Sequence, residues 1–510
     1  MLNHVYSCCL LDLDALPITV EVDITRGLPN IVIVGLPDNA VKESKERVRA
    51  AIKNNGYSFP AQRITVNLSP AHIKKEGPLL DLPIAIGILA SSGKISPDTL
   101  KRFVFVGELS LDGRLRPVKG AFAMACAVDP RKFSGLILPE ENAKEAALVD
   151  KISVFPCQTL NDVLQLLADP CAVSPIKTPL PCDWQHHSAY DIDFSDIKGQ
   201  AHVKRGLEVA AAGGHNVLLV GPPGSGKTML ARRLVTILPD LTKEEALETL
   251  KIHSAAGLMD PGLTNFGLRP FRCPHHTASD VSLVGGGTIP KPGEASLAHN
   301  GVLFLDELPE FNRNVLEALR QPLEDHAVHV ARAYKSTKFP ARFMLVAAMN
   351  PCPCGWLTDP KKECTCSLQK VQRYLSKISG PLLDRIDIHL EVPSLTAPEL
   401  LSKTSCESSR QIKQRTTQAR NRQLARFQRS KIFSNAQMSH RQTEEFCMMD
   451  AASQQLLKTA IDELHFSARA HDKILKVART IADLGNEKRI LPEHIAEAIQ
   501  YRNLDRNLYC

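Results

Sequence analysis

Apolar and polar positions follow two periods along this chain, and their distribution predicts a mixed α/β protein. In the first 168 residues, short apolar runs predict strands at Ile18–Ile24, Asn30–Val34, Ile64–Leu68, Phe103–Leu109 and Gly135–Leu138. Apolar residues three and four positions apart predict helices over Asn39–Asn54 and Ala121–Ala127. Residues 1–168 are therefore expected to form one α/β domain.

The pattern changes three times after this domain. Residues 169–191 hold four prolines and no periodicity, which is typical of a linker. Residues 192–393 alternate apolar strands with helical stretches, and this order is typical of a parallel sheet. A basic stretch and then an all-helical pattern occupy 394–510. The expected fold is α/β, with a parallel-sheet core and a C-terminal helical lid.

Composition excludes several classes of protein. The 510 residues are 44% hydrophobic and 23% charged, which argues against wholesale disorder and against a small disulfide scaffold. The most apolar stretch, Leu79–Ala90, is interrupted by Asp81 and is too short to cross a bilayer. Asp12 and Asp14 interrupt the apolar run of a would-be signal peptide. With 14 mostly scattered cysteines, we expect a cytoplasmic protein with free thiols and no membrane segment.

A complete phosphate-binding motif stands between a short apolar strand, Asn216–Val220, and a predicted helix, Met229–Leu238. The motif G-x-x-x-x-G-K-[ST] is formed by Gly221, Pro222, Pro223, Gly224, Ser225, Gly226, Lys227 and Thr228. Its glycines let backbone N–H groups face a polyphosphate, and the helix N-terminus adds partial positive charge. The motif predicts ATP binding, with Lys227 at the β- and γ-phosphates and Thr228 on Mg²⁺.

Two later strands end in residues that suit phosphoryl transfer. Val302–Leu305 is followed by Asp306, placed to hold Mg²⁺, and by Glu307, placed to orient and polarise the attacking water. The run Phe343–Met349 ends at Asn350, which we expect beside the γ-phosphate. An ordinary turn residue is the alternative for Asn350.

Two arginines outside the P-loop are candidates for neutralising charge in the transition state. Arg385 lies in the apolar turn Pro381–Asp387, and Arg469 opens a helical pattern that continues to Leu484. One of them would act from a neighbouring subunit. Spacing alone favours the alternative, an ordinary surface ion pair.

Four cysteines form a separate cluster. Cys352 and Cys354 make one C-x-C pair, Cys364 and Cys366 make a second, and nine residues separate the pairs. Four thiolates so close together predict one tetrahedral Zn²⁺ with a structural role, because no ligand position would remain open for catalysis. Free thiols or a redox pair are the alternatives.

These motifs together resemble the AAA+ ATPases, and more narrowly the magnesium-chelatase-like branch, which is related to the MCM helicases. The resemblance covers 190–505 and follows the family order of Walker A, Walker B, sensor 1, arginine finger and sensor 2, at 221–228, 302–307, 350, 383–385 and 467–469. It implies ATP and Mg²⁺ as cofactors and a homohexameric ring with the nucleotide between subunits. Arg272–Thr277 matches as well; its adjacent His275 and His276 are a poor chelate, so we expect a loop role.

Residues 1–168 resemble the Lon-protease-like domain, with its ribosomal S5 domain 2-like fold, through 81–89 and 107–115. Lon-type proteolysis needs a serine activated by a lysine, but the matching positions hold Leu79 and Met124. We therefore expect a non-proteolytic domain that shapes the ring or contacts DNA. A relocated dyad of Ser110 and Lys119 is the alternative.

The combination of the two domains resembles the ComM/YifB family. This resemblance implies an ATP-driven hexameric DNA motor, a helicase that promotes branch migration when transforming DNA is integrated by homologous recombination. One rival interpretation is the ATPase subunit of a metal-inserting chelatase, which the Lon-like domain and the basic stretches disfavour. The other rival is an ATP-dependent protease.

A predicted hairpin, Val328–Phe339, is a candidate for contacting DNA, because a hairpin at this point projects into the ring's pore in the related helicases. Arg332, Lys335 and Lys338 would meet phosphates. Tyr334 would stack on a base. A solvated hairpin is an equally good interpretation.

Two more segments bear on DNA. Gly285–Gly287 with Lys291 resembles the second pore insertion of the related helicases. Residues 410–431 carry eight lysines and arginines and no acid, although the whole chain is only +7. Apolar residues at near-helical spacing predict an amphipathic helix there. Its basic face could contact DNA, but we favour the solvated face of a helix that links the ATPase core to the lid.

Overall fold

The computed structural model describes residues 2–169, 173–176, 190–259, 266–287, 290–332, 335–357, 359, 362–396, 398–399, 407–428, 430, 432–464 and 466–502, without the side chains of 331, 332 and 335. The chain divides into two compact units. The first comprises Met1–Trp184 and Ala246–Phe266, and the second comprises Gln185–Glu245 and Gly267–Cys510.

The first unit is built from short strands and helices. Its strands are β1 (Asn3–Leu11), β2 (Asp14–Thr25), β3 (Asn30–Val34), β4 (Arg63–Ser69), β5 (Phe103–Phe105), β6 (Glu108–Leu109), β7 (Leu115–Arg116), β8 (Gly135–Pro139) and β9 (Ser153–Cys157). Its helices up to residue 168 are α1 (Asn39–Asn54), α2 (Asp81–Ser91), α3 (Pro97–Leu100), α4 (Ala121–Ala127), α5 (Glu140–Ala146) and α6 (Leu160–Ala168), with a 3-10 turn at Pro78–Leu80.

Seven of these strands form one sheet in the order β3-β4-β2-β1-β5-β8-β9. The pairs β1–β2 and β2–β4 are antiparallel, and the other neighbours are parallel. Helix α2 is buried from Asp81 to Ala90. Asp81 is tolerated there because Arg47 Nε donates to its carboxylate at 2.7 Å.

The other helices lie in the second unit, except that α9 belongs to the first unit from residue 246 onward. They are α7 (Ala201–Gly213), α8 (Lys227–Ile237), α9 (Lys243–Ala256), α10 (Asp280–Val284), α11 (Glu294–Leu297), α12 (Arg313–Ala318), α13 (Arg320–Asp325), α14 (Leu368–Leu375), α15 (Gly380–Leu383), α16 (Ser409–Arg426), α17 (His440–Phe446), α18 (Ala451–Leu464), α19 (Ala468–Leu484) and α20 (Pro492–Gln500). Short 3-10 turns lie at Phe194–Asp196, Leu308–Glu310 and Asn435–Gln437.

The strands of the second unit are β10 (Val217–Val220), β11 (Phe271–Arg272), β12 (Gly285–Gly286), β13 (Lys291–Pro292), β14 (Val302–Leu305), β15 (Ala327–Arg332), β16 (Lys335–Pro340), β17 (Met344–Met349) and β18 (Ile388–Glu391). Five of them form an all-parallel sheet in the order β11-β14-β17-β10-β18. Strands β10, β14 and β17 are buried at every residue, as expected for apolar runs covered by helices on both faces. The predicted α/β class with a parallel sheet and a helical C-terminal region is confirmed.

The sequence predicts one continuous core over residues 192–393. In the structure, residues 246–266 belong to the first unit instead. Leu250 of α9 is buried in a cluster with Phe122 and Leu148. The N–H of Gly120 also donates to the carbonyl of Ser254 at 3.0 Å. Periodicity predicts that a helix has an apolar face but not which partner covers it, so this grouping required the tertiary structure.

The basic stretch forms helix α16, and its described charges are largely paired within the second unit. Arg415 donates to Glu407 and Glu208, Lys413 pairs with Asp240, and Arg426 pairs with Asp483. Arg420 is buried. The helix therefore packs against the rest of the second unit through its basic residues rather than presenting them all to solvent, while Arg429 and Lys431 lie outside the described residues.

No helix among the described residues combines the length and the apolar character that a membrane crossing requires.

Candidate active site

The P-loop connects β10 to α8 at the carboxyl edge of the parallel sheet. Gly226 stands before the first residue of α8 with φ +93°, a conformation that L side chains rarely adopt. Gln200 Nε2 donates to the carbonyl of Ser225 at 2.9 Å and to that of Pro393 at 3.1 Å. The conformation of the loop is thus stabilised by the side chain of Gln200 as well as by its own glycines.

Lys227 is at the centre of the site. Its side chain is buried, and Nζ donates to the carbonyls of Gly221 at 2.7 Å and Pro222 at 2.8 Å. Nζ also donates to Asn350 Oδ1 at 3.1 Å. Burial lowers the pKa of Lys227 to about 8, against the opposing effect of Asp306 and Glu307. Phosphate oxygens at this point would favour the charged amine.

Thr228 and Asp306 form an oxygen-rich pair that fits Mg²⁺. The hydroxyl Oγ1 of Thr228 donates to Asp306 Oδ2 at 2.7 Å. Carboxylate and hydroxyl oxygens of this kind are the donors that Mg²⁺ takes, so these two residues would hold the ion, which would supply charge neutralisation. Thr228, in α8, and Asp306, after β14, are far apart along the chain. They meet because β10, β17 and β14 lie side by side and parallel, so that their carboxyl ends share one edge.

Glu307 adopts an unusual backbone conformation, with φ +52°. Residues other than glycine occupy this left-handed region at a cost, and such positions concentrate at functional sites. The Glu307 carboxylate is more than half exposed and lies 3.9 Å from His276 Nδ1. Sequence reasoning assigned His276 a loop role and missed this proximity, because the two residues are distant along the chain.

Asn350 lies at the end of β17, which pairs with β10. Besides its contact with Lys227, its backbone is hydrogen-bonded to the hydroxyl of Tyr374, and burial raises the pKa of Tyr374 to about 12. Tyr374 was also missed from the sequence, since a tyrosine in a short amphipathic helix carries no motif.

The four cysteines come together directly after Asn350. The Sγ atoms of Cys352, Cys354 and Cys364 are 3.3 to 3.6 Å apart, and all four Sγ atoms, including that of Cys366, lie within 4.8 Å of one another. A tetrahedral zinc site with Zn–S bonds of about 2.3 Å has sulfur atoms about 3.8 Å apart, so the spacing fits that ion.

The cysteine loop packs directly on the P-loop. Gly355 lies between the two cysteine pairs with φ +84°, and a Cβ added to it would be 2.4 Å from Pro223 Cδ. Only glycine allows this close approach. The conformation of the cysteine loop is therefore coupled to that of the phosphate-binding loop.

Arg385 and Arg469 lie elsewhere. Both approach the carboxylate of Glu324: Arg385 Nη2 donates to it, and Arg469 Nη2 is 3.7 Å away. These arginines line the same cavity as Asn216, the residue before β10, whereas the P-loop follows Val220 at the other end of that strand. The structure thus brings the two arginines together but places them at the opposite edge of the sheet from their own P-loop.

The predicted hairpin is present as β15 and β16, with register from Ala327 opposite Pro340 to Arg332 opposite Lys335. Lys338 is exposed on it. Tyr334 and the side chains of Arg332 and Lys335 lie outside the described residues.

A second small ribbon pairs Gly285 with Pro292 and Gly286 with Lys291. It lies in the segment that the sequence compared with a second pore insertion.

The positions of a Lon-type dyad hold buried apolar side chains, Leu79 and Met124. Ser110 Oγ donates to Asp112 and to the carbonyl of Arg114, whereas the side chain of Lys119 lies against Gly257. The relocated dyad remains without geometric support.

Replacing Gly355 by Ala should weaken ATP binding several-fold, because the added Cβ would displace Pro223 and distort the P-loop. Gly56 has a similar φ of +81°, and the space that a Cβ would occupy there is open, so Gly56→Ala is the matched control for backbone strain alone. Titration with a fluorescent ATP analogue measures both. Equal affinities of the two variants would show that the cysteine loop is not coupled to the P-loop.

Family models match three segments of the chain. Residues 193–400 match the family model "Magnesium chelatase, subunit ChlI", residues 20–142 match "Subunit ChlI of Mg-chelatase", and residues 406–502 match the ChlI C-terminal model. A shorter similarity is to Lon protease 2 of Bacillus subtilis, 28% identical over 31% of this chain and 33% of that protein. These matches support an AAA+ ATPase.

Two relatives are similar over nearly the whole chain. Competence protein ComM of Haemophilus influenzae is 46% identical over 99% of this chain and 98% of its own length. The uncharacterized protein YifB of Escherichia coli is 45% identical over 99% of this chain and 98% of its own length. The chain therefore belongs to the family of magnesium-chelatase ChlI-like proteins that includes ComM and YifB.

Proposed function

We propose that this protein is an ATP-hydrolysing ring motor that acts on branched DNA and promotes branch migration when transforming DNA is integrated. The observation that supports ATP hydrolysis is the convergence of Lys227, Thr228, Asp306 and Asn350 within hydrogen-bond distance at one sheet edge. The role in competence is taken from a relative that is named a competence protein and that shares 46% of its residues with this chain.

In this mechanism the residues of the site divide the work of binding the nucleotide and activating the water. Lys227 neutralises the β- and γ-phosphates, and Thr228 and Asp306 hold Mg²⁺, which supplies further charge neutralisation when bound. Glu307 accepts a proton from the attacking water, and its exposed, strained position lets it face that water. Asn350 fixes the amine of Lys227 and orients the water beside the γ-phosphate.

The two arginines argue for catalysis between subunits. Arg385 and Arg469 lie at the amino edge of the sheet, the far end of β10 from the P-loop of the same chain. An arginine finger at that edge can serve only the nucleotide of another copy. A closed ring, which we propose to be a homohexamer, presents the amino edge of one subunit to the P-loop of the next.

DNA would be contacted through the β15–β16 hairpin, where Lys338 is exposed. We propose Arg332, Tyr334 and Lys335 as further contacts at its tip. Helix α16 is not proposed as a DNA surface, because its described cations are mostly committed to carboxylates of the same unit.

We also propose that Cys352, Cys354, Cys364 and Cys366 bind one structural Zn²⁺, as the convergence of their four Sγ atoms suggests. The ion would clamp the loop that contacts the P-loop at Gly355.

A second candidate function follows from the family description: an ATPase subunit of a metal-inserting chelatase. It shares the chemistry at Lys227 and Glu307 but requires a protein partner instead of DNA. DNA-stimulated hydrolysis distinguishes the two.

Replacing Glu307 by Gln should lower the rate of ATP hydrolysis by about 10²–10⁴-fold while ATP binding is retained, because the amide keeps the shape but cannot accept the proton. Glu310→Gln alters an exposed carboxylate in the following turn and should keep the parental rate. Phosphate release measures turnover. A parental rate in Glu307→Gln would contradict the assignment of the water-orienting acid.

Mixing Arg385→Ala chains with Lys227→Ala chains should restore part of the ATPase and branch-migration activity on four-way DNA, although each variant alone is inactive. A mixed interface combines one intact P-loop with one intact finger. A mixture of Lys227→Ala with the Lys227→Ala/Arg385→Ala double variant contains no intact P-loop and should stay inactive. No restoration would contradict action between subunits, and no response to any DNA would favour the chelatase-type function.

The cysteine cluster should hold one zinc per chain, measured by elemental analysis of the purified protein. Cys364→Ser should lose most of this metal because it removes one of four ligands. Cys126→Ser removes an exposed cysteine outside the cluster and should keep it. Equal zinc contents in the two variants would place the metal elsewhere.

A further inference from the structure

The second unit contains a cavity of about 440 Å³ at the amino edge of the parallel sheet. Asn216, before β10, and Asp387, before β18, line it, together with residues of α16 and α19. Seven lysines and arginines line the cavity against four carboxylates, which leaves an excess of three positive charges. So large a cationic excess in a partly enclosed space is costly without a negative partner.

Three of the guanidinium groups that line the cavity have a buried donor without a partner among the described residues, and they belong to Arg342, Arg385 and Arg420. The Arg420 side chain is only 9% exposed, and its Nε has no hydrogen-bond partner among the described residues. Arg342 has two buried atoms, Nε and Nη1, that likewise lack a partner in the described part of the chain. Buried donors of this kind are normally satisfied, and those of a charged group are the most expensive to leave unmade.

A neighbouring arginine shows what a structural role looks like. Arg269 also lines the cavity, but it donates to the carbonyls of Pro239 and Asn300 at 2.6 Å and to that of Asp240 at 3.3 Å. Its donors are used to tie loops together. The unused donors of Arg342, Arg385 and Arg420 are therefore not shared by every arginine of the cavity.

Glu245, the carboxylate that acts on these arginines, is shared among three of them. Burial raises the pKa of Glu245, but Arg269, Arg420 and Arg342 outweigh it and lower that pKa below the usual value. Its Oε2 lies 3.5 Å from Arg269 Nη2. One carboxylate facing three guanidinium groups leaves two positive charges without a counterpart.

His326, which lies beside Arg342 and Lys476, does not supply negative charge. Burial and the neighbouring Arg342 and Lys476 lower the pKa of His326 to about 4, so this imidazole is neutral at pH 7. Lys476 donates a long hydrogen bond, 3.4 Å, to the carbonyl of Ala436. Burial lowers the pKa of Lys476 as well.

We propose that this cavity binds a small phosphate-class oxyanion, held by the unused donors of Arg342 and Arg420 and reached by Lys476. Planar guanidinium groups pair with phosphate oxygens in a fork geometry, which explains why arginines rather than lysines carry the unused donors. The volume accommodates phosphate or diphosphate. Arg385 and Arg469 line the same cavity, so the site adjoins the finger residues of the proposed function, and Arg342 and Arg420 are the residues that this proposal adds.

The test uses the full chain with Lys227→Ala, so that the P-loop does not contribute to binding. Isothermal titration calorimetry with inorganic phosphate and with diphosphate, without Mg²⁺ and at constant ionic strength, should show saturable binding. Adding Arg342→Gln should weaken it at least about tenfold, since a charge-assisted hydrogen bond is lost. Adding Arg410→Gln, an exposed cation of α16 outside the cavity, should leave it unchanged.

Arg420→Lys is the second variant, because it keeps the charge while removing the fork, and it should also weaken binding. Circular dichroism verifies that each variant is folded. Absence of saturable binding, or equal affinities in the Arg342→Gln and Arg410→Gln proteins, would overturn the proposal.

Sedimentation distinguishes two sources of the phosphate. Binding of inorganic phosphate by single Lys227→Ala chains identifies free phosphate as a ligand. In proteins with an intact P-loop, weaker ATP-dependent assembly of the Arg342→Gln chain than of the Arg410→Gln chain identifies a nucleotide phosphate of a neighbouring copy in the same site.

Discussion

The parallel alignment of β14, β17, β10 and β18 is the constraint on which the proposed chemistry depends. Parallel strands bring all their carboxyl ends to one edge, so Lys227, Asp306 and Asn350 meet although they come from three distant segments. The same alignment sends the residues before each strand to the opposite edge. The parallel arrangement of the strands thus produces both a phosphate-binding edge and an arginine-lined edge within each chain.

Charge in the second unit is arranged mainly for internal pairing. The chain carries a formal net charge of only +7, and the basic stretch that contains most of this excess is helix α16. Its cations reach Glu208, Asp240 and Asp483, which anchors the C-terminal helices to the ATPase core. Where pairing is incomplete, at Arg342 and Arg420, the molecule has donors available for an external anion.

The cysteine loop links two features that would otherwise be separate. Because Gly355 packs against Pro223, a change in the conformation of the cysteine loop would displace the phosphate-binding loop through this packing contact. Asn350, two residues before Cys352, accepts a hydrogen bond from the amine of Lys227. Metal occupancy and nucleotide binding would then be coupled through packing rather than through shared ligands.

The sequence by itself determined the features that depend on local spacing. The P-loop, the acidic end of β14, the hairpin and the helices α1 and α4 follow from motifs and periodicity, because the hydrogen bonds that form them join nearby residues. The tertiary structure decided which surfaces meet. It assigned residues 246–266 to the first unit, paired the cations of α16, brought His276 near Glu307 and separated Arg385 from its own P-loop. Those outcomes depend on packing between segments far apart along the chain, and neither charge nor periodicity specifies the partner.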